Sequence, residues 1–221
     1  MKFFSFWRSQ ASFRVRIALN LKNIPTEVVF VDLDADAHHT DEFRRVNPQM
    51  ALPALVEDDG TTLFQSLAII EYLEEKYPTP PLLPADPHGR ARVRGLALIV
   101  ACEGHPPVVP RIRRYLDREL NLRDTQQTAW RRHWTLETLA ALEGHLAGHR
   151  DTGRFCHGDA PTLADICLAG HATVAAMLQI DLRPWPTVKR IYETSMAMPE
   201  FATAHPLAQP DTPEAMRPKA G

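Results

Sequence analysis

The sequence predicts an α/β layer of about 80 residues followed by an all-helical region. Three observations predict it. The first eighty residues alternate short apolar runs with helical patterns, in the order strand, helix, strand, short helix, hairpin, helix. A proline-dense stretch, PTPPLLPADP at 78–87, then interrupts the chain as a stiff boundary. From Gly89 onward the strand signals vanish and apolar residues recur at helical spacing. The expected division is an α/β domain over 1–80, a linker over 81–88, a helical domain over 89–205 and an extended or disordered tail over 206–221.

Each element has its own reason. Lys2 to Phe6 reads as a short aromatic strand. A polar break at Ser9 to Ser12 precedes Phe13, Val15, Ile17, Ala18, Leu19 and Leu21, a helix with a broad apolar face that ends before Pro25. Val28 to Val31 is a β-branched and aromatic run of the kind covered on both faces of a sheet. Asp34 to Arg45 reads as a loop leading into a short helix. In Ala54 to Phe64, Asp58-Asp59-Gly60 between apolar runs marks a hairpin. Ser66 then caps a helix carrying Leu67, Ile69, Ile70, Leu73 and Tyr77. The sheet should be four-stranded and mixed. Pro53 cannot donate to a ladder, so it either starts its strand in trans or turns the chain in cis with the Leu52 backbone left available.

In the second region, Arg90 to Ala101 is a helix broken at His105-Pro106-Pro107, and Ile112 to Leu120 continues it. Thr125 to His149 is a long helix with Trp130, Trp134, Leu139 and Leu142 on its buried face. Thr162 and Asp165 form a capping box ahead of the apolar helix Ile166 to Leu178, which marks Asp165 as a buried fastener. Further helices follow at Val188 to Met196 and Glu200 to Ala204, leaving a cleft between the α/β layer and the bundle.

Composition narrows the function. At 44% hydrophobic and 24% charged the 221-residue chain is ordinary for a globular protein. A net charge of -2 and the absence of a long basic run give no case for nucleic acid. No apolar run reaches the roughly 18 residues of a membrane span, and the start lacks a signal-peptide core, so a cytoplasmic location is expected. Three cysteines, widely spaced and without CxxC, signal neither a disulfide framework nor a dithiol. His145 and His149 share a helix face but no third ligand has metal-site spacing, and no metal is expected.

Ligand binding in such a layer belongs outside the sheet edge, where helices begin. Ser9, and Gln65 with Ser66, stand at two such starts. They are either plain caps or anion-binding groups, Ser66 for a carboxylate and Ser9 for a thiolate. Arg8 lies next to Ser9, and one of Arg111, Arg113 and Arg114 could hold a substrate carboxylate.

Four stretches carry a resemblance over nearly the whole chain: FWRSQASFRVRIALNLKNIP at 6–25, NPQMALPALVEDDG at 47–60, LFQSLAIIEYLEEKYPTPPLLPADP at 63–87 and GDAPTLADICLA at 158–169. Together they resemble the glutathione transferase family and, within it, the zeta class of maleylacetoacetate and maleylpyruvate isomerases. The resemblance implies a thioredoxin-like N-terminal domain, glutathione as cofactor and a homodimer. It implies that Ser9 faces the glutathione sulfur, with Arg8 and Gln10 beside it. The Leu52 backbone, presented by cis Pro53, would pair with the cysteinyl part, Gln65 and Ser66 would hold the γ-glutamyl end, and Gln49 and His38 the glycyl end. The implied reaction adds the thiolate to a cis double bond, allows rotation and eliminates to the trans isomer. His105, Arg111 and Met177 fall on the substrate side.

The chain departs from the class pattern. Ser9-Gln10-Ala11 replaces Ser-Ser-Cys, and Ala175-Ala176-Met177 and Pro110 stand where arginines are expected. A glutathione transferase or peroxidase acting on an apolar electrophile or hydroperoxide, and a non-catalytic glutathione-fold binding protein, are the alternatives.

Overall fold

The computed structural model describes residues 1–217. It divides into two compact units, one of Met1–Pro81 with the segment from Ala197, the other of Leu82–Met196.

The first unit is built on a four-stranded sheet in the order β2-β1-β3-β4. The strands are β1 (Lys2–Ser5), β2 (Glu27–Phe30), β3 (Ala54–Val56) and β4 (Thr62–Phe64). β1 and β2 run parallel, joined through α1 (Gln10–Leu21), while β3 pairs antiparallel with both β1 and β4. The expected hairpin forms: the Glu57 N–H donates to the Thr61 carbonyl at 2.9 Å and the Gly60 N–H to the Glu57 carbonyl at 3.0 Å. Gly60 takes φ 88°, a conformation that favours a residue without Cβ. The short α2 (Asp41–Val46) is capped by the Thr40 hydroxyl, which accepts from the Phe43 N–H at 3.3 Å. Phe3, Phe13, Ile17, Leu55, Ile69 and Leu73 are at most 1% exposed and form the core between α1, the sheet and α3 (Ser66–Lys76).

Three expectations change here. β2 is an edge strand, and its Val28 and Phe30 are more than 40% exposed, because one β-branched run looks the same at an edge as in the middle of a sheet. Ser66 is the first residue of α3, and Gln65 takes the cap position at φ 68°. The residues expected as a tail instead fold back within the first unit. The Asp211 carboxylate accepts from the Trp7 N–H at 2.8 Å, and the buried Thr212 hydroxyl donates to the Pro206 carbonyl at 2.6 Å. Proline density read as disorder, but fixed φ angles also suit a short segment pinned by side chains at a few points. Residues 218–221 lie outside the described residues.

The second unit holds α4 (Pro87–Leu98), α5 (Pro110–Arg118), α6 (Asp124–Leu146), α7 (Leu163–Met177) and α8 (Pro186–Met196). α9 (Pro199–Ala202) follows in the first unit. α4 continues as a π-helical turn over Ile99–Gly104 and breaks at the predicted prolines. Gly104 is needed there, since a Cβ would collide with Thr138 of α6 and come within 3.0 Å of the His171 ring of α7. The Trp130 indole of α6 fastens the proline turn by donating to the Pro107 carbonyl at 2.9 Å. α7 is the central helix, packed on α4, α6 and α8. Among the described residues no helix is long and apolar enough to cross a membrane.

Candidate functional site

Strand register gathers the predicted residues of the first unit at one end of the sheet. Phe4 of β1 pairs with Ala54 of β3, and Ala54 pairs with Phe64 of β4. Ser5 of β1 also pairs with Phe30 of β2. The segments holding Arg8 to Gln10, His38, Gln49 to Pro53, and Gln65 with Ser66 therefore all leave the sheet at the same edge. Neighbouring strands lie about 4.8 Å apart, so segments leaving adjacent strands are close neighbours, while those leaving β2 and β4 stand three strand spacings apart. The Leu52-Pro53 bond is cis, as the resemblance implied.

Two hydroxyls at this edge are held alike. Ser9 caps α1, its Oγ accepting from the Ser12 N–H at 3.1 Å. Ser66 Oγ accepts from Nη1 of the buried Arg14 at 3.0 Å. In each case the oxygen is used as an acceptor from inside the fold, and the hydroxyl proton remains to be donated outward. Neither the N–H nor the carbonyl of Leu52 is hydrogen-bonded among the described residues.

Gln65 and Gln49 meet, with Gln65 Nε2 donating to Gln49 Oε1 at 2.9 Å. The buried Asn47 shapes the loop that carries Gln49: its Oδ1 accepts from the Gln49 N–H at 3.1 Å and its Nδ2 donates to the Ala51 carbonyl at 2.7 Å. Gln65 at φ 68° and Met50 at φ 51° are non-glycine residues in the left-handed region, the sort of backbone strain that gathers at ligand sites. Gln10 is 6% exposed and, among the described residues, neither atom of its amide has a hydrogen-bond partner.

Arg8 is half-exposed and reaches across to the β2 side of the edge. Its Nη2 donates to Asp34 Oδ1 at 2.6 Å, and its guanidinium lies 5.5 Å from the Trp7 ring centroid. Asp34 is itself set by Asp32, whose Oδ1 accepts from the Asp34 N–H at 2.8 Å. His38 is 5% exposed and its ring stands 3.9 Å from that of His39. Asp36, His38 and His39 also place three possible ligand atoms within 4.8 Å of one another, a cluster invisible while the histidines were read without a fold.

Sequence reasoning missed Arg14, Asp34 and Asn47. No local signal marks them, because their partners lie across the sheet edge or are backbone groups.

In the second unit His105 sits between the π-helical turn and the proline turn, Arg111 is exposed in the first turn of α5, and Met177 is 39% exposed at the end of α7. The three stand on separate elements. Asp165 is the fastener expected of it. It is fully buried and its carboxylate accepts from the Cys156 N–H at 2.7 Å, the Thr162 N–H at 2.8 Å and the Thr162 hydroxyl at 2.7 Å. Burial raises its carboxyl above the ordinary carboxylate value, and these hydrogen bonds offset only part of that rise. Burial also drives the Cys156 thiol well up, which makes it inert.

Comparison with known proteins decides the family. The glutathione S-transferase N-terminal domain matches residues 8–76 and the glutathione S-transferase C-terminal domain matches residues 135–193. A maleylpyruvate isomerase from Ralstonia sp is 44% identical over 212 residues, covering 96% of this chain and 100% of that protein. The holo structure of a maleyl pyruvate isomerase, described as a bacterial zeta-class glutathione S-transferase, is similar with a TM-score of 0.93 at 44% identity over 96% of this chain and 100% of that one. The chain belongs to the glutathione S-transferase family, in its zeta class.

The structure of a maleylacetoacetate isomerase from Methylobacterium extorquens AM1, with malonate and glutathione bound, is 47% identical with a TM-score of 0.94, covering 96% of this chain and 100% of that one. The sheet edge described above carries the residues that the zeta-class resemblance implies for glutathione. The absence of a nucleophilic cysteine there also makes sense when the sulfur comes with the cofactor.

Proposed function

We propose that this chain is a glutathione-dependent cis–trans isomerase of a maleyl-type diacid such as maleylacetoacetate or maleylpyruvate. The observation that carries the reading is the sheet edge, where two serine hydroxyls, a free backbone pair and two glutamines converge. The residues fit glutathione. Ser66 and the start of α3 offer donors and a favourable dipole to the γ-glutamyl carboxylate, with Gln65 beside them. The Leu52 backbone offers one donor and one acceptor to a peptide-like cysteinyl group. Gln49 and His38 are assigned to the glycyl end.

The chemistry glutathione supplies when bound is a thiolate able to add reversibly to the cis double bond. Ser9 keeps that sulfur anionic by donating its hydroxyl proton as a hydrogen bond. Gln10 places a buried amide, with no hydrogen-bond partner among the described residues, next to Ser9. Arg8 draws one substrate carboxylate, and Asp34 holds its guanidinium in place from one side while the other nitrogens remain available. His105, Arg111 and Met177 are assigned to the substrate side on the resemblance. A homodimer and a cytoplasmic location are part of the same proposal.

The test is a substrate panel. Glutathione-dependent turnover of maleylpyruvate or maleylacetoacetate is expected, with Arg8→Ala harming it far more than turnover of 1-chloro-2,4-dinitrobenzene. Turnover of aryl halides or hydroperoxides without isomerisation would replace the reading with a transferase or peroxidase, which the exposed Met177 would suit. No glutathione binding at millimolar concentration would sink both.

A further inference from the structure

We propose that Asp211, acting with Arg16, is a positioning residue for the reaction: from the C-terminal segment it sets the turn that presents Arg8 and Ser9. The proposal rests on the glutathione reading of the sheet edge. It makes a segment far along the chain part of that site's machinery.

Phe6 to Ser9 is a tight turn, closed by the Ser9 N–H donating to the Phe6 carbonyl at 3.0 Å. Trp7 and Arg8 are its central residues, and Ser9 leaves it as the cap of α1. The peptide groups inside the turn therefore decide where Arg8 and the Ser9 hydroxyl are presented. Charged side chains hold two of them. In the first, the Trp7 N–H donates to Asp211 Oδ2 at 2.8 Å while the Phe6 carbonyl accepts from Arg16 Nη1 at 3.3 Å. That peptide dipole lies with its positive end on an anion and its negative end on a cation, and the reverse orientation would meet two like charges. In the second, the Trp7 carbonyl accepts from Arg16 Nη2 at 3.0 Å. Type I and type II turns differ by rotation of this second group, so Arg16 selects one of them.

Asp211 is not needed to shape its own segment. Gln209 Nε2 donates to the Thr203 and His205 carbonyls at 2.8 and 3.0 Å, the Thr212 hydroxyl to the Pro206 carbonyl, and Arg217 Nη2 to the Pro210 carbonyl at 2.8 Å. The one hydrogen bond of the Asp211 carboxylate among the described residues is the bond to Trp7, and its Oδ1 is buried without a hydrogen-bond partner. Burying a carboxylate oxygen in that way costs stability, so the group is placed for its effect on the turn. Arg16 answers it from the other side. Burial lowers the Arg16 guanidinium to about 9, and the Asp211 charge acts in the opposite direction.

The experiment follows the ultraviolet absorbance of the glutathione thiolate on the full-length protein as pH rises, beside steady-state kinetics with maleylpyruvate. The wild-type complex should titrate below the ordinary thiol value of about 8.5. In Asp211→Ala the thiol should move back toward that value and kcat should fall about tenfold. KM for glutathione should stay within about twofold, because Leu52, Gln65 and Ser66 are untouched. Asp211→Asn keeps an acceptor for the Trp7 N–H and should restore most of both losses, which a loss of charge alone would not allow. An unmoved thiol in Asp211→Ala, beside a lowered wild-type thiol, overturns this proposal and leaves the glutathione reading standing. Equal losses in the two variants overturn it as well. Wild-type protein that binds no glutathione sinks both. Hydrogen exchange on the glutathione-free wild-type protein decides the matter even if Asp211→Ala fails to fold: the Trp7 amide should be protected, and exchange as fast as in an open loop would overturn the clamp.

Discussion

Helices α1 and α7 are both buried over most of their length, yet they treat their polar groups in opposite ways. In α7 the polar group at the helix start is fully consumed: Asp165 satisfies two backbone N–H groups and a hydroxyl within nine residues of itself. In α1 the buried polar residues reach much farther along the chain. Arg16 is a closed case, donating to the Ala204 and Trp7 carbonyls and to the Ser5 hydroxyl. Arg14 instead supports Ser66, and Gln10 keeps an amide with no hydrogen-bond partner among the described residues. A closed polar network holds a fold together. One that stops at a sheet edge with donors to spare is prepared for a ligand.

Variants should separate the two kinds of network. The largest effect is expected at α7. Asp165→Ala strands two buried N–H groups and should cost on the order of 3 kcal/mol or more in chemical denaturation. Glutathione affinity of the protein that still folds should be unchanged, and a large affinity loss there would erase the distinction. At the α1 start, Ser9→Ala should lower isomerase kcat/KM by about 10²-fold or more, as removal of an oxyanion donor does. Its stability loss should be about 1 kcal/mol, the value of an N-cap. If turnover survives intact, Ser9 is a cap and nothing more.

Ser66→Ala should weaken glutathione binding by roughly tenfold in calorimetry, the value of one hydrogen bond to a charged group. An unchanged dissociation constant would mean that Arg14 supports Ser66 for packing alone. The smallest effect is a pH dependence at the far end of the α1 network. Burial, and then the Arg16 charge, hold the His205 imidazole below its ordinary value. The folded state therefore prefers the neutral ring, whose Nδ1 accepts from the Leu207 N–H at 3.2 Å. The unfolded chain binds the proton more readily, so this stability is complete above the unfolded value of about 6.5 and declines as pH falls through it. Tm should be lower at pH 5.5 than at 7.5, with a smaller difference in His205→Gln. An identical pH profile in that variant would assign the decline to other groups.

How much was legible follows range along the chain. The Asp58-Asp59-Gly60 turn, the Thr162–Asp165 box and the break at His105-Pro106-Pro107 each depend on residues within a few positions, and each appears where expected. The cofactor-side motifs were legible as a family pattern of stretches. What escaped were the pairings: Arg14 with Ser66, 52 positions apart, Arg8 with Asp34, 26 apart, and Trp7 with Asp211, 204 apart. The exposure of β2 escaped for the same reason, since strand order is not written in a strand's own composition.

The sequence by itself determined the two-part architecture, the turns and caps, and the stretches that mark a zeta-class glutathione transferase. Periodicity, turn chemistry and capping act over one or two turns of chain. The tertiary structure decided which side chains share the sheet edge and that the serine hydroxyls there are braced from within. Burial and partner choice are properties of what packs against a residue, and that is set by chain segments tens to hundreds of positions away.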